Sequence, residues 1–158
     1  MKRDGLLILL RHGIAEDKGH KADAERRLTA EGNAKMQEIA KTLARLVPEA
    51  EAIYSSPLVR ARETGAWVAE AYGGKLAFYI TDALVPGSDP DAFREFLHDV
   101  KEPAAYFVGH EPTLSAFMLS LTGMSGDVDL KKGGCYGLRW SGRHASLEWM
   151  LPPRLMRG

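Results

Sequence analysis

Two histidines and two arginines stand where the chain passes from apolar run to amphipathic stretch. Arg11-His12-Gly13 follows the run Leu6 to Leu10. Ser55-Ser56-Pro57 follows Ala52-Ile53-Tyr54, with Arg60 three residues on. Gly109-His110-Glu111-Pro112 follows Ala104 to Val108. Planar guanidinium groups hold phosphate oxygens through paired hydrogen bonds, and helix N-termini add partial positive charge. Brought together, Arg11, His12, Arg60 and His110 make a cationic pocket whose natural ligand is a phosphoryl group.

Each of these residues also has a plain structural role available to it: a surface turn for Arg11-His12, a hydrogen-bonded loop for His110, a solvated helix position for Arg60. Their shared placement at strand ends is what favours a site. His20 lies among charged residues and reads as a solvated loop. His98 ends a short helix, where it favours the helix dipole, and His144 sits in a hairpin turn. Arg62, two residues from Arg60, faces another side of the same helix and reads as a surface residue. Cys135 in an apolar strand reads as a small buried hydrophobe.

The elements that must position these groups follow from periodicity. Leu6 to Leu10 is continuously apolar, as a strand covered on both faces should be. Met36, Ile39, Ala40, Leu43 and Leu46 are helically spaced within Thr29 to Leu46. Thr29 is placed to cap that helix, although Gly32 stands where a capping box would carry Glu. Ser56-Pro57 reads as the N-cap and first residue of a second helix that ends at Gly73-Gly74. Leu76 to Ile80 reads as a strand, Asp89-Pro90 as the cap of a short helix, and Ala104 to Val108 as a strand. Glu111-Pro112 opens a helix closed by Gly123. Cys135 to Trp140 and Ala145 to Met150 alternate around Gly142 as a hairpin. The expected fold is a three-layer α/β/α sandwich, with a mostly parallel sheet and an antiparallel C-terminal hairpin edge. In such sheets ligands bind beyond the carboxyl ends of the strands, where the polar groups above fall.

Composition narrows the class. The chain has 158 residues, with 21 Lys+Arg against 21 Asp+Glu. That length predicts a single domain over 1–158. Zero net charge argues against a nucleic-acid or anionic-membrane coat, while leaving room for a local basic pocket. One cysteine gives no intrachain disulfide and no Cys-based zinc site. Leu6 to Leu10 is too short for a membrane span or a signal-peptide core. The expectation is a cytoplasmic, monomeric, metal-independent protein.

At these residues the sequence resembles the histidine phosphatase, or phosphoglycerate mutase-like, superfamily. Leu10-Arg11-His12-Gly13 looks like its signature, Ser55 to Thr64 like its second block, and Gly109-His110-Glu111-Pro112 like its third. Arg27-Leu28-Thr29-Ala30-Glu31-Gly32 and the short length are similar to the SixA-type phosphohistidine phosphatase branch. The resemblance implies that His12 is a nucleophile that becomes phosphorylated. It implies that Arg11 and Arg60 hold the phosphoryl oxygens and that His110 stabilises charge on the transferring group. No metal or organic cofactor is implied. The physics is consistent, because imidazole attacks phosphorus only when neutral and nearby guanidinium groups disfavour imidazolium.

The general acid that many relatives use for the leaving group has no clear match in Thr81 to Pro90. Asp82, Asp89 and Glu111 are weak candidates, and Asp89 is better explained as a helix cap. A missing acid favours a leaving group that departs readily. The expected substrate is therefore a phosphohistidine-bearing protein. The alternatives are a small phosphorylated substrate, such as a sugar phosphate, and a phospho-ligand binding module without turnover.

Overall fold

The computed structural model describes residues 1–158. Six strands form one sheet: β1 Leu6–Arg11, β2 Ala52–Ser55, β3 Ala77–Ile80, β4 Ala104–Gly109, β5 Cys135–Trp140 and β6 Ala145–Leu151. The helices are α1 Ala30–Leu46, α2 Val59–Ala71, α3 Pro90–Leu97 and α4 Thr113–Thr122. The sheet order is β3-β2-β4-β1-β5-β6. The first four strands in that order run parallel, and β5 and β6 add the antiparallel hairpin edge. No helix is long and apolar enough to cross a membrane.

Strand periodicity divides the core between two faces. Leu7 and Leu9 of β1 join Ala105 and Phe107 of β4 beneath Phe93, Phe117 and Leu121 of α3 and α4. Leu6, Ile8 and Leu10 join Tyr106 and Val108 beneath Met36, Ile39 and Leu43 of α1 and Ala61 and Val68 of α2. The continuous apolar run of β1 is thus a strand covered on both sides, and the three layers are those expected. Cys135 is fully buried, and burial pushes its thiol up to about 12.

Register fixes which strand ends meet. Arg11 is level with Gly109 across β1 and β4, and Ser55 is level with Val108 across β2 and β4. The three polar segments therefore leave adjacent strands at one edge.

Two helix starts differ from expectation. α2 begins at Val59 behind Leu58, which supplies no side-chain cap, instead of at Ser56-Pro57. Ser56 is fully buried, and its Oγ is used by the backbone N–H of Leu58 and by His110. α4 begins at Thr113, and Glu111 reaches forward from outside it to accept the N–H of Ser115 at 2.8 Å. The α1 start agrees with expectation: Thr29 Oγ1 accepts the N–H of Gly32 at 3.0 Å. A side chain at residue 32 has no room, since its Cβ would lie 2.1 Å from the carbonyl oxygen of Ile14. The loop after β1 packs directly on α1 there, and this is why the capping box is incomplete.

Candidate active site

A cavity of about 290 Å³ opens at the carboxyl edge of the sheet. Arg11, His12, Arg60 and His110 all line it. Its other polar walls are Lys18, Asp23, Arg26, Glu111 and Lys132.

His12 follows β1 and is almost fully buried. Its Nδ1 lies 2.7 Å from the carbonyl oxygen of Gly13. A carbonyl only accepts, so Nδ1 carries the proton and the lone pair of the neutral ring is on Nε2. Arg60 Nε donates to that nitrogen at 3.4 Å. Burial, more than any neighbouring charge, lowers the His12 pKa to about 3. The Gly13 carbonyl opposes the shift, and His110, Arg60 and Arg11 add to it. The guanidinium effect expected from sequence is present but secondary, because removing imidazolium from water costs more than placing it near the arginines.

Arg60 is buried at the start of α2 and held in a fork by the chain segment after β1. Its Nη1 donates to the Asp23 carbonyl at 2.8 Å, and its Nη2 to Asp23 Oδ2 at 3.2 Å. Arg26 shares the same carboxylate. Burial works against the charged carboxylate of Asp23, yet the Arg60 and Arg26 guanidiniums hold its pKa below the usual value. Arg62 is exposed and turns back to donate to the carbonyl of Pro57. Thr64, one turn further along α2, accepts the N–H of Gly13 at 3.0 Å and donates to the Arg60 carbonyl, tying the β1 loop to the helix.

His110 is buried beside His12, with ring centroids 5.3 Å apart. Its Nε2 lies 2.8 Å from Ser56 Oγ. That oxygen already accepts the Leu58 N–H, and no other acceptor for its own proton is near. Full satisfaction of the pair therefore has Ser56 donating to His110 Nε2, which leaves the His110 proton on Nδ1. Burial, then the charge of Arg60, lowers its pKa to about 4. Arg11 donates through Nη1 to the carbonyl of Leu130.

Two buried side-chain nitrogens of the protein have no hydrogen-bond partner, Arg11 Nε and His110 Nδ1. Buried polar groups are otherwise paired almost without exception, because leaving one unpaired costs roughly 1–3 kcal/mol. Both orphans belong to residues that line the same cavity, so the unpaired hydrogen-bonding capacity of the buried side chains is concentrated around it.

The three carboxylates weighed as acids are placed elsewhere or already engaged. Asp82 is exposed and lies outside the cavity lining. Asp89 caps α3 by accepting the Ala92 N–H. Glu111 lines the cavity, but its oxygens accept from the Ser115 N–H, the Ser115 hydroxyl and the Leu130 N–H. No group of three His, Cys, Asp or Glu residues is arranged to hold a metal ion. His20 and His144 are exposed, and His98 caps the end of α3 against Trp140.

Sequence reasoning missed Asp23, Arg26, Lys18 and Lys132. The first three lie in a charged stretch without periodicity, which reads as solvated surface. Asp23 becomes visible only when a short 3₁₀ turn at Asp23–Glu25 brings it over α2.

A profile of the histidine phosphatase superfamily (branch 1) matches residues 7–85. The chain belongs to that superfamily. It is accordingly an enzyme of the phosphatase class. An uncharacterised protein from Picosynechococcus is 34% identical over 139 residues, covering 84% of each chain. Among solved structures, the protein histidine phosphatase SixA complexed with tungstate superposes with a TM-score of 0.86. It shares 18% identity, over 96% of this chain and 99% of that one. A mycobacterial glucosyl-3-phosphoglycerate phosphatase superposes with a TM-score of 0.73 at 16% identity, over 94% and 99%. At these identities the superpositions show a common fold, one that serves both a protein phosphatase and a small-molecule phosphatase.

Proposed function

We propose that this phosphatase removes the phosphoryl group from protein phosphohistidine through a covalent phospho-His12 intermediate. The observation that carries the reading is a neutral imidazole in one cavity with an arginine and a histidine whose buried nitrogens are unpaired, where both lining carboxylates, Asp23 and Glu111, are already engaged. His12 Nε2 attacks phosphorus. The substrate imidazole takes a proton from solvent on its distal nitrogen, and the bond from phosphorus to its other nitrogen breaks with the electron pair remaining on that nitrogen, so that neutral imidazole departs. Arg11 Nε, His110 Nδ1–H and the remaining Arg60 protons meet the equatorial oxygens as charge shifts onto them. Water then attacks phospho-His12, releasing inorganic phosphate and restoring the ring.

The missing acid favours this substrate over an alkyl ester. A positioned acid helps a poor leaving oxygen by roughly 10²–10⁴-fold, whereas an imidazole protonated by solvent on its distal nitrogen leaves without one from the protein. The likeness in fold to the protein histidine phosphatase SixA supports the reading. The test is a series of phosphomonoesters of graded leaving-group pKa beside a phosphohistidine peptide. Slow alkyl esters, faster aryl esters and the highest kcat/KM on phosphohistidine are expected. A flat series with sugar phosphates matching phosphohistidine would transfer the function to small phosphomonoesters.

A further inference from the structure

A second groove of about 420 Å³ adjoins the phosphoryl cavity and shares Arg11 and Lys132 with it. It runs between the first half of α1, the loop before β5 and the C-terminal segment. Half-buried Ile14 and Pro153 are its apolar walls, and the buried Met36 and Ile39 lie at its floor. Lys35 of α1, Lys131 and Arg157 add to the charge of the two shared cations. Against these five cations its lining has one carboxylate, Asp129. Glu31 pairs with Lys35 from the exposed face of α1 at 2.8 Å, an arrangement that solvent makes weak. Lys131, Lys132 and Arg157 are in no ion pair. In a protein of zero net charge, positive charge is thus concentrated along a path that leads to His12.

We infer that this groove docks an acidic segment of the phosphorylated protein, with an apolar side chain of that segment seated near Ile14 and Pro153. The inference rests on the phosphohistidine-protein reading and adds where the rest of that protein lies. The charge selects an anionic partner. The apolar lining selects a polypeptide over an inorganic polyanion, which has nothing to bury there. The shared residues Arg11 and Lys132 make the two sites continuous, so a bound chain meets the groove while its phosphoryl group is in the cavity. Phosphoryl transfer itself does not involve Lys35, Lys131 or Arg157, so the groove governs KM for a polypeptide and leaves the chemistry of small esters unchanged.

The test separates docking from turnover. Two peptides carry a non-hydrolysable phosphohistidine analogue, phosphoryl-triazolylalanine, one flanked by Glu and Leu and the other by Lys and Ser. Binding is read by fluorescence anisotropy, and turnover is read on the matching phosphohistidine peptides and on phenyl phosphate. The expected result is at least tenfold tighter binding of the acidic peptide at low salt. The preference should vanish in the K35E/K131E/R157E variant, and the KM of the acidic phosphohistidine peptide should rise about tenfold, while kcat/KM on phenyl phosphate stays unchanged. Equal binding of the two peptides by wild type would overturn the docking role. So would charge-dependent competition by inorganic tripolyphosphate without peptide discrimination, which would make the groove a polyanion site. Charge-dependent binding without turnover of any phosphohistidine peptide would instead overturn the substrate reading on which the groove's role depends. Circular dichroism of the variant, and the single substitutions Lys131→Ala and Arg157→Ala, distinguish lost docking from lost folding.

Discussion

Glu111 and Arg11 are joined through a single residue, Leu130. The Leu130 N–H donates to Glu111 Oε2 at 2.9 Å, and the Leu130 carbonyl accepts from Arg11 Nη1. A carboxylate that stands beside the second histidine in sequence therefore serves the first arginine in space. It positions a guanidinium that lines the cavity and whose buried Nε has no partner.

This relationship separates two roles for Glu111. Glu111→Ala should lower kcat/KM by about tenfold to a hundredfold, the scale of a displaced positioning contact. The loss should be the same on phenyl phosphate and on an alkyl phosphate. A general acid would behave differently, since its removal penalises the poor leaving group selectively. The ratio of the two losses is the measurement.

Arg60→Ala should cost on the order of 2.7–4 kcal/mol in kcat, by analogy with the loss of one oxyanion donor. Arg62→Ala should stay within a few fold of wild type. Arg60 is buried against His12 and Asp23, whereas Arg62 is exposed and bonded only to its own helix start. Steady-state kinetics on one aryl phosphate decides the comparison. Equal losses would contradict the placement of α2.

Acid should destabilise the fold through the two buried histidines. Their folded pKa values, about 3 for His12 and about 4 for His110, lie below the ordinary 6.5. Between pH 6.5 and about 4 the unfolded chain therefore binds more protons than the native one, and stability falls as pH falls. Each histidine contributes up to about 1.4 kcal/mol per pH unit in that window. Urea midpoints at pH 7, 6 and 5 should show the decline, and His110→Gln should make it shallower. An unchanged slope in that variant would mean that His110 titrates normally in the folded protein.

Much of this was legible in sequence because strand ends carry their own signals. The apolar run of β1, the spacing of Met36 to Leu43 and the three polar segments were enough to place Arg11, His12, Arg60 and His110 at one edge. The local helix starts were less legible. Ser56-Pro57 has the chemistry of an N-cap, and Ser56 Oγ does accept the Leu58 N–H while also meeting His110, but the first helical bonds run to the Leu58 carbonyl, so the helix opens two residues later. Asp23 could not be found from pattern, since its role depends on a charged, aperiodic segment folding back over α2. The Arg11–Leu130 contact within the Glu111–Leu130–Arg11 connection spans 119 residues, and no local pattern announces a contact through a backbone peptide.

The central claim is that His12 Nε2 accepts the phosphoryl group. Rapid quench of wild type with a ³²P-labelled phosphohistidine peptide, followed by peptide mapping, tests it most directly. The account predicts a transient phosphoenzyme on the peptide containing His12, labile in acid and stable in base, as a phosphoramidate is. It also predicts no label and no turnover in a folded His12→Ala variant. Turnover at the wild-type rate in that variant, or label on any other residue, would contradict it.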